Sequence, residues 1–265
     1  MKPQKRIGLA RALSKIGYCS RSQAAVLIRA GRVTLNGRIA RDPEKPVRTP
    51  QDRIEVDGSP LDKRSAVYLI MNKPRGVVTT ASDEKGRETV YDLLSPGWPW
   101  VGPVGRLDKA SEGLLLLTND SGWAAMVTEP ASHLDKKYHV QVDCIADDDL
   151  LARISRGCEA ADNSLERKPD EHLRAKGARL LRHGDKNSWL EITLDEGKNR
   201  QIRRLLEAQR VGVLRLVRVS IGPLELGDLK KGSVRPLTAE EKKTIDCALG
   251  AAVVKFASLK RGRVF

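Results

Sequence analysis

Aromatic side chains are scarce, with Phe, Trp and Tyr together making up 4% of 265 residues. That scarcity counts against a surface built from many stacking platforms, as a sequence-indifferent single-strand binder requires. The four cysteines (Cys19, Cys144, Cys158, Cys247) are scattered, with no Cys-x-x-Cys pair. The four histidines (His133, His139, His172, His183) have no ligand-like spacing with them, so no metal site is expected. Gly-x-Gly-x-x-Gly and Gly-x-x-x-x-Gly-Lys-Ser/Thr runs are both absent, which excludes the usual dinucleotide and P-loop chemistries. No stretch approaches the ~18 apolar residues of a spanning helix. The basic start Met1-Lys2-Pro3-Gln4-Lys5-Arg6 is not followed by an apolar core and a small-residue cleavage site. A cytoplasmic monomer with no membrane partner is the expectation.

What the chain has in abundance is positive charge. Lys and Arg number 48 against 34 Asp and Glu, a net of +14 with a pI near 9.8. Such an excess attracts polyanions through steering and counterion release, which makes nucleic acid the first partner to consider. Hydrophobic residues, at 40%, still suffice for a core.

The cationic excess is concentrated in residues 1–62. There, Ile7, Leu9, Leu13 and Ile16 predict a short helix ended by Gly17. Ser20 with Gln23 three residues on predicts a capped start for a second helix through Arg29. Arg32 to Leu35 alternates as a strand into the Asn36-Gly37 turn, and a further strand, Arg53 to Val56, closes at Asp57-Gly58. Arg6, Arg21, Arg29 and Arg32 are expected on an outward face that contacts phosphate. The run from Gly17-Tyr18-Cys19-Ser20-Arg21 through Arg32-Val33-Thr34-Leu35-Asn36-Gly37 resembles the small RNA-binding domain named after a small-subunit ribosomal protein, the S4 fold. After it, residues 63–247 are rich in strand patterns interrupted irregularly by helix. The fold class expected is α+β: a small helix-helix-hairpin domain, then a domain with a mixed, mainly antiparallel sheet. Residues 248–265 read as a loose basic tail.

Three segments could carry chemistry. In Gly105-Arg106-Leu107-Asp108-Lys109, a carboxylate sits at a loop edge ahead of the apolar strand Leu114 to Leu117, and its cationic neighbours favour a charged carboxylate there. From residue types alone, a salt-bridged turn is the simpler reading. Lys136-Lys137-Tyr138 leads into an alternating strand. Tyr138 could bury its ring there or stack on a base while the lysines hold phosphates. Between Lys198 and Arg218 stand seven Lys or Arg and one acid. Arg200, Arg203 and Arg204 are expected to open a helix over 199–209. Cations in a first turn oppose the helix dipole, so a compensating anion such as Asp108 or RNA phosphate is expected nearby.

Together, Gly105-Arg106-Leu107-Asp108 with Ser111-Glu112-Gly113-Leu114, Lys137-Tyr138, and Gly197-Lys198-Asn199-Arg200-Gln201-Ile202-Arg203-Arg204 closely resemble the ribosomal pseudouridine synthases that carry an N-terminal S4 domain. The resemblance implies a cofactor-free isomerase with Asp108 as nucleophile. It further implies Tyr138 packed against the target base, Arg203 paired with the aspartate, and Arg106 filling the space that the target nucleotide leaves. Lys136, Lys137, Lys198, Arg200 and Arg204 would join the N-terminal arginines in holding RNA. The partner implied is ribosomal RNA or an assembling ribosomal subunit. A non-catalytic RNA-binding factor on the same scaffold is the main alternative, and the intact Asp, Tyr and Arg set speaks against it. A methyltransferase would need a glycine-rich cofactor loop that is missing.

Overall fold

The computed structural model describes residues 6–48, 51–61, 65–81, 83–132, 134–160 and 171–261, the last eleven by their backbone only. In the N-terminal module short-range signals decide the structure. Ser20 Oγ accepts the Gln23 amide at 3.1 Å while Gln23 Oε1 accepts the Ser20 amide at 3.0 Å. This reciprocal cap starts the helix Arg21–Arg29. The preceding helix spans only Leu9–Lys15, because Ile7–Gly8 pairs instead with Pro46–Val47. Four short strands follow in the spatial order Arg38–Ala40, Val33–Leu35, Ile54–Val56 and Ser59–Pro60. Both Asn36-Gly37 and Asp57-Gly58 have positive φ at each residue, the geometry that lets a two-residue turn follow the twist of its strands. Leu9, Leu13, Ile28 and Val33 are wholly buried between the helices and this sheet. Each such side chain contributes roughly 1.5–3 kcal/mol of burial free energy.

The module is seated on the larger domain through Gly17. A Cβ there would lie 3.1 Å from the Asn119 side chain. Asn119 in turn accepts the Val67 amide at 2.8 Å and donates to the Ser65 carbonyl at 2.9 Å, tying the incoming chain to the domain behind it.

The larger domain is built on a nine-stranded sheet. Its main path runs Gly177–His183, Ser188–Leu194, Lys136–Val142, Val213–Ile221, Glu112–Thr118, Tyr68–Lys73 and Val234–Pro236. Leu224–Glu225 and Gly102–Val104 are added beside it. All of these pairings are antiparallel except that between Val213–Ile221 and Glu112–Thr118. A sheet covered on both faces should read as a continuous apolar run, and Glu112–Thr118 is buried at every position. One face packs Leu69, Met71, Leu115 and Leu117 with Leu107, and Val140, Leu190 and Ile192 with the helix Gln201–Ala208. The other face packs Ile70, Leu114 and Leu116 against the helices Ser121–Thr128 and Ala239–Arg261.

The expected loose tail from residue 248 is corrected. Ala239–Arg261 is one helix running across that boundary, and Leu249 is buried in the core beside Ile245. The apolar contacts of its first turns hold the chain helical where composition suggested only a basic end. The charged end at 262–265 lies outside the described residues, as does 161–170.

One position in the sheet allows only glycine. Gly113 has φ 101°, and a Cβ on it would meet the Arg218 carbonyl oxygen at 2.3 Å. Gly113→Ala is expected to cost about 3 kcal/mol or more through backbone strain and overpacking. A fall in the thermal unfolding midpoint checks this. An unchanged midpoint would mean that the close strand approach is not present in solution.

Candidate active site

Gly105, at φ 74°, turns the chain out of the strand Gly102–Val104. Leu107 then plugs back into the core while Arg106 and Lys109 stay exposed. Backbone and hydroxyl contacts fasten the segment. Thr79 Oγ1 donates to the Leu107 carbonyl at 2.8 Å, the Gly76 amide donates to the Lys109 carbonyl at 2.8 Å, and the Ser111 amide donates to the Asp108 carbonyl at 3.0 Å. Asp108 is left half-buried, and its carboxylate takes no hydrogen bond from the described residues.

Beneath this loop lies Lys73, the last residue of the strand Tyr68–Lys73. Its side chain is wholly buried, and Nζ donates to the carbonyls of Pro74, Asp108 and Ser111 at 3.0, 3.2 and 2.9 Å. Two of these acceptors bracket the Asp108 turn. Burial lowers the Lys73 pKa to about 8, opposed by the fields of Asp108 and Glu112 and reinforced by Arg218. The available signal was periodicity: Leu69, Met71 and Lys73 share one face of the strand.

The loop borders a cleft of about 430 Å³ lined by Val78, Thr79, Thr80, Asp83, Arg106 and Asp108 among others. Asp83, on its rim, is committed to Arg87 at 2.6 Å and to the amides of Lys85 and Arg87. These bonds hold its carboxyl far below the usual carboxylate range.

Strand register brings distant residues under the same loop. Lys73 pairs with Gly113, Gly113 with Arg218, Arg218 with Tyr138, and Tyr138 with Ile192. Residues paired directly across strands share a face, so Tyr138 stands on an interior strand in the row that begins at Lys73. It packs against the cluster that contains Leu107. Arg218, also missed from sequence, is buried and donates from Nε to the Leu114 carbonyl at 2.7 Å.

Arg203 reaches the same loop by a different route from the one expected. Its guanidinium donates to the Ala110 carbonyl at 3.0 Å and forms no ion pair with the Asp108 carboxylate. The two still sense one another. Burial, then the field of Arg200, lowers the Arg203 pKa, and Asp108 opposes them.

Several of the expected phosphate-binding cations are spent inside the protein. Arg204 is buried and donates to Glu171 at 3.2 Å and to the Ala160 carbonyl at 3.0 Å. Glu171 and the Ala160 carbonyl thus compensate Arg204, while Asp108 acts on Arg203 through its field alone. Lys198 is paired with Glu196 and Glu171 at 3.1 and 3.3 Å. Arg32, by contrast, stays exposed on the module, where it pairs with Asp57 at 2.5 Å. Lys136 and Lys137 point to opposite faces, as neighbours in a strand must. Burial and the nearby Arg218 lower the Lys136 pKa, whereas Lys137 is exposed on the side of Glu191. Arg200, at φ 48°, precedes the helix and is exposed. Arg6, Arg21 and Arg29 are exposed on the module.

Comparison with known proteins sorts these features. The family model described as RNA pseudouridylate synthase matches residues 67–208, and the S4 domain model matches residues 7–63. The chain belongs to the RNA pseudouridylate synthase family, with an S4 domain ahead of the synthase domain. An uncharacterized RNA pseudouridine synthase of Aquifex aeolicus is 37% identical over 94% of this chain and 96% of its own length. The ribosomal large subunit pseudouridine synthase B of Bacillus subtilis is 35% identical, covering 89% and 94%. A crystal structure of a pseudouridylate synthase superposes with a TM-score of 0.62 at 27% identity, over 90% of this chain and 99% of the other. Within this family the enzyme is an isomerase, and the expected α+β fold with its mostly antiparallel sheet is the one observed.

The Lys73 clamp has a measurable signature. A lysine with a depressed pKa in the folded state binds fewer protons than the unfolded chain between about 8 and 10.5. Its contribution to stability therefore rises with pH across that window. Relative to a Lys73→Met variant, the wild type should gain stability as pH is raised through it. A difference flat in pH, measured by denaturant unfolding, would contradict the buried ammonium. Activity of the variant should fall as well, since the Asp108 turn loses its anchor.

Proposed function

We propose that this protein converts a specific uridine of ribosomal RNA to pseudouridine, with Asp108 as the nucleophile and without a cofactor. The observation that carries the reading is convergence. Asp108 stands half-buried at a cleft, its loop clamped by Lys73, with Tyr138 and Arg203 delivered to that loop from distant parts of the chain. The names of the relatives from Bacillus subtilis and Escherichia coli, both ribosomal large subunit pseudouridine synthase B, favour large-subunit RNA as the substrate.

In this mechanism Asp108 initiates breakage of the bond between uracil N1 and ribose C1′. The base turns and C5 bonds to C1′. The C5 proton leaves, and N1 gains a proton. Tyr138 supplies the ring against which the base packs, and Arg203 keeps the far end of the Asp108 turn in place. Arg106, exposed beside Asp108, enters the space left by the extruded nucleotide. Taking a nucleotide out of its stack costs about 3 kcal/mol. Phosphate contacts offset that cost, from Arg6, Arg21 and Arg29 on residues 1–62 and from Lys136, Lys137 and Arg200 on the synthase domain, residues 63–247. We place the enzyme in the cytoplasm as a monomer, acting on the RNA of an assembling subunit. No described helix is long and apolar enough to cross a membrane.

Asp108→Asn tests the assignment cleanly, because among the described residues the carboxylate carries no hydrogen bond whose loss would unfold the loop. Pseudouridine formation in ribosomal RNA, mapped by carbodiimide and primer extension, should fall by about 10³-fold or more. RNA affinity should be retained. Unchanged modification in cells lacking the wild-type copy would remove Asp108 from the chemistry.

A further inference from the structure

A second cavity, about 480 Å³, opens between the N-terminal module and the synthase domain. Tyr18, Cys19, Gln23, Val26 and Leu27 line it from the module, and Trp100 from the domain. Its character differs from everything around it. The helix Arg21–Arg29 exposes Arg21 and Arg29 and contains no acid, yet Val26 in its middle is 65% exposed. Val26 extends the apolar wall formed by Tyr18, Leu27 and Trp100, and it is this continuity that suits a contact surface. Across the gap, the Trp100 indole lies against Gly102, where a Cβ would stand 3.3 Å from the ring. Tyr18 and Trp100 thus bring two of the chain's few aromatic rings to one place. Gln23 adds a polar group. Its carbonyl oxygen is committed to the Ser20 amide, so its amide nitrogen is the part left to donate into the cavity.

We propose that this cavity receives one unstacked nucleobase of the RNA, separate from the uridine at Asp108. The inference rests on the RNA reading above and adds a second point of attachment to it. Apolar and aromatic walls with a single amide donor suit the face and edge of a base. The volume falls within the range of roughly 300–1,000 Å³ typical of small-ligand sites. Charge selects the occupant. An apolar segment of another protein would cover Arg21 and Arg29 without supplying counter-charge, which is costly. A nucleobase arrives attached to phosphates that such arginines attract. Because Gly17 and Asn119 seat the module on the domain, a base held here lies at a set distance from Asp108. The cavity would then help choose which uridine enters the cleft.

The test uses the full chain and an RNA hairpin with a single bulged 2-aminopurine, whose fluorescence is quenched on stacking. The same hairpin with an abasic bulge serves as control. Binding of wild type should quench the probe. Trp100→Leu should abolish the quench and weaken binding about tenfold, within the range expected for one base stacked on an aromatic ring. Trp100→Phe should restore both. Val26→Asp, at an exposed position that leaves the fold intact, should also weaken binding. On the abasic hairpin the variants should bind like wild type. Quenching that persists in Trp100→Leu overturns the proposal, as does an equal loss on both hairpins. So does unchanged RNA binding with altered binding to ribosomal proteins, which would assign the cavity to a protein partner. Failure of the wild type to bind either hairpin would instead overturn the RNA reading itself.

Discussion

Lys73 has no water around it, so each hydrogen of its ammonium must find an acceptor within the protein or cost more than folding can spare. The acceptors it finds are three backbone carbonyls, two of them at the ends of the Asp108 turn. The arrangement couples the interior strand Tyr68–Lys73 to the loop that borders the cleft. The loop is consequently part of the core on one side and part of the cleft on the other. Leu107 and Thr79 reinforce the same attachment, but among the described residues only Lys73 hydrogen-bonds both ends of the turn.

The sheet must leave room for this. Gly113 stands between Lys73 and Arg218 in the row, and its missing Cβ lets the strand Val213–Ile221 approach in parallel. That approach lines up Arg218 and Tyr138 with Lys73. It also concentrates positive charge beneath the loop, since Lys73, Arg218, Lys136 and Arg203 are all wholly or partly buried in this region. Burial lowers the pKa values of three of them, reinforced by Arg218 at Lys73 and Lys136 and by Arg200 at Arg203. A negative group entering the cleft, whether the Asp108 carboxylate or an RNA phosphate, meets a prepared field with little reorganisation left to occur.

Much was legible from local patterns. The Ser20–Gln23 cap, the Asn36-Gly37 and Asp57-Gly58 turns and the buried Leu114–Leu117 run are short-range signals, and each is found where it was read. The helices Ser121–Thr128 and Asp148–Arg156 were not read, although Asp120 and Asp147 cap their starts with amide contacts of 3.0 and 2.8 Å. The tail was misjudged because its basic end is visible in composition, while the burial of Leu249 depends on a partner face formed far away in sequence. Lys73 and Arg218 escaped notice because a lysine or arginine in isolation reads as solvated. Arg204 and Lys198 were assigned to RNA for the same reason.

By itself the sequence determined the order of the two domains, the family motifs and the identity of the groups able to do chemistry, since these depend on residue type and near-neighbour spacing. Which cations stay exposed and which are consumed inside the fold was decided by tertiary structure alone. An arginine's role depends on the carbonyl or carboxylate that packing places beside it. For Arg203 that is the Ala110 carbonyl and for Arg204 it is Glu171, although the two arginines are adjacent in the chain. Helical geometry turns neighbouring side chains to different faces, and only the surrounding strands and loops specify what each face meets.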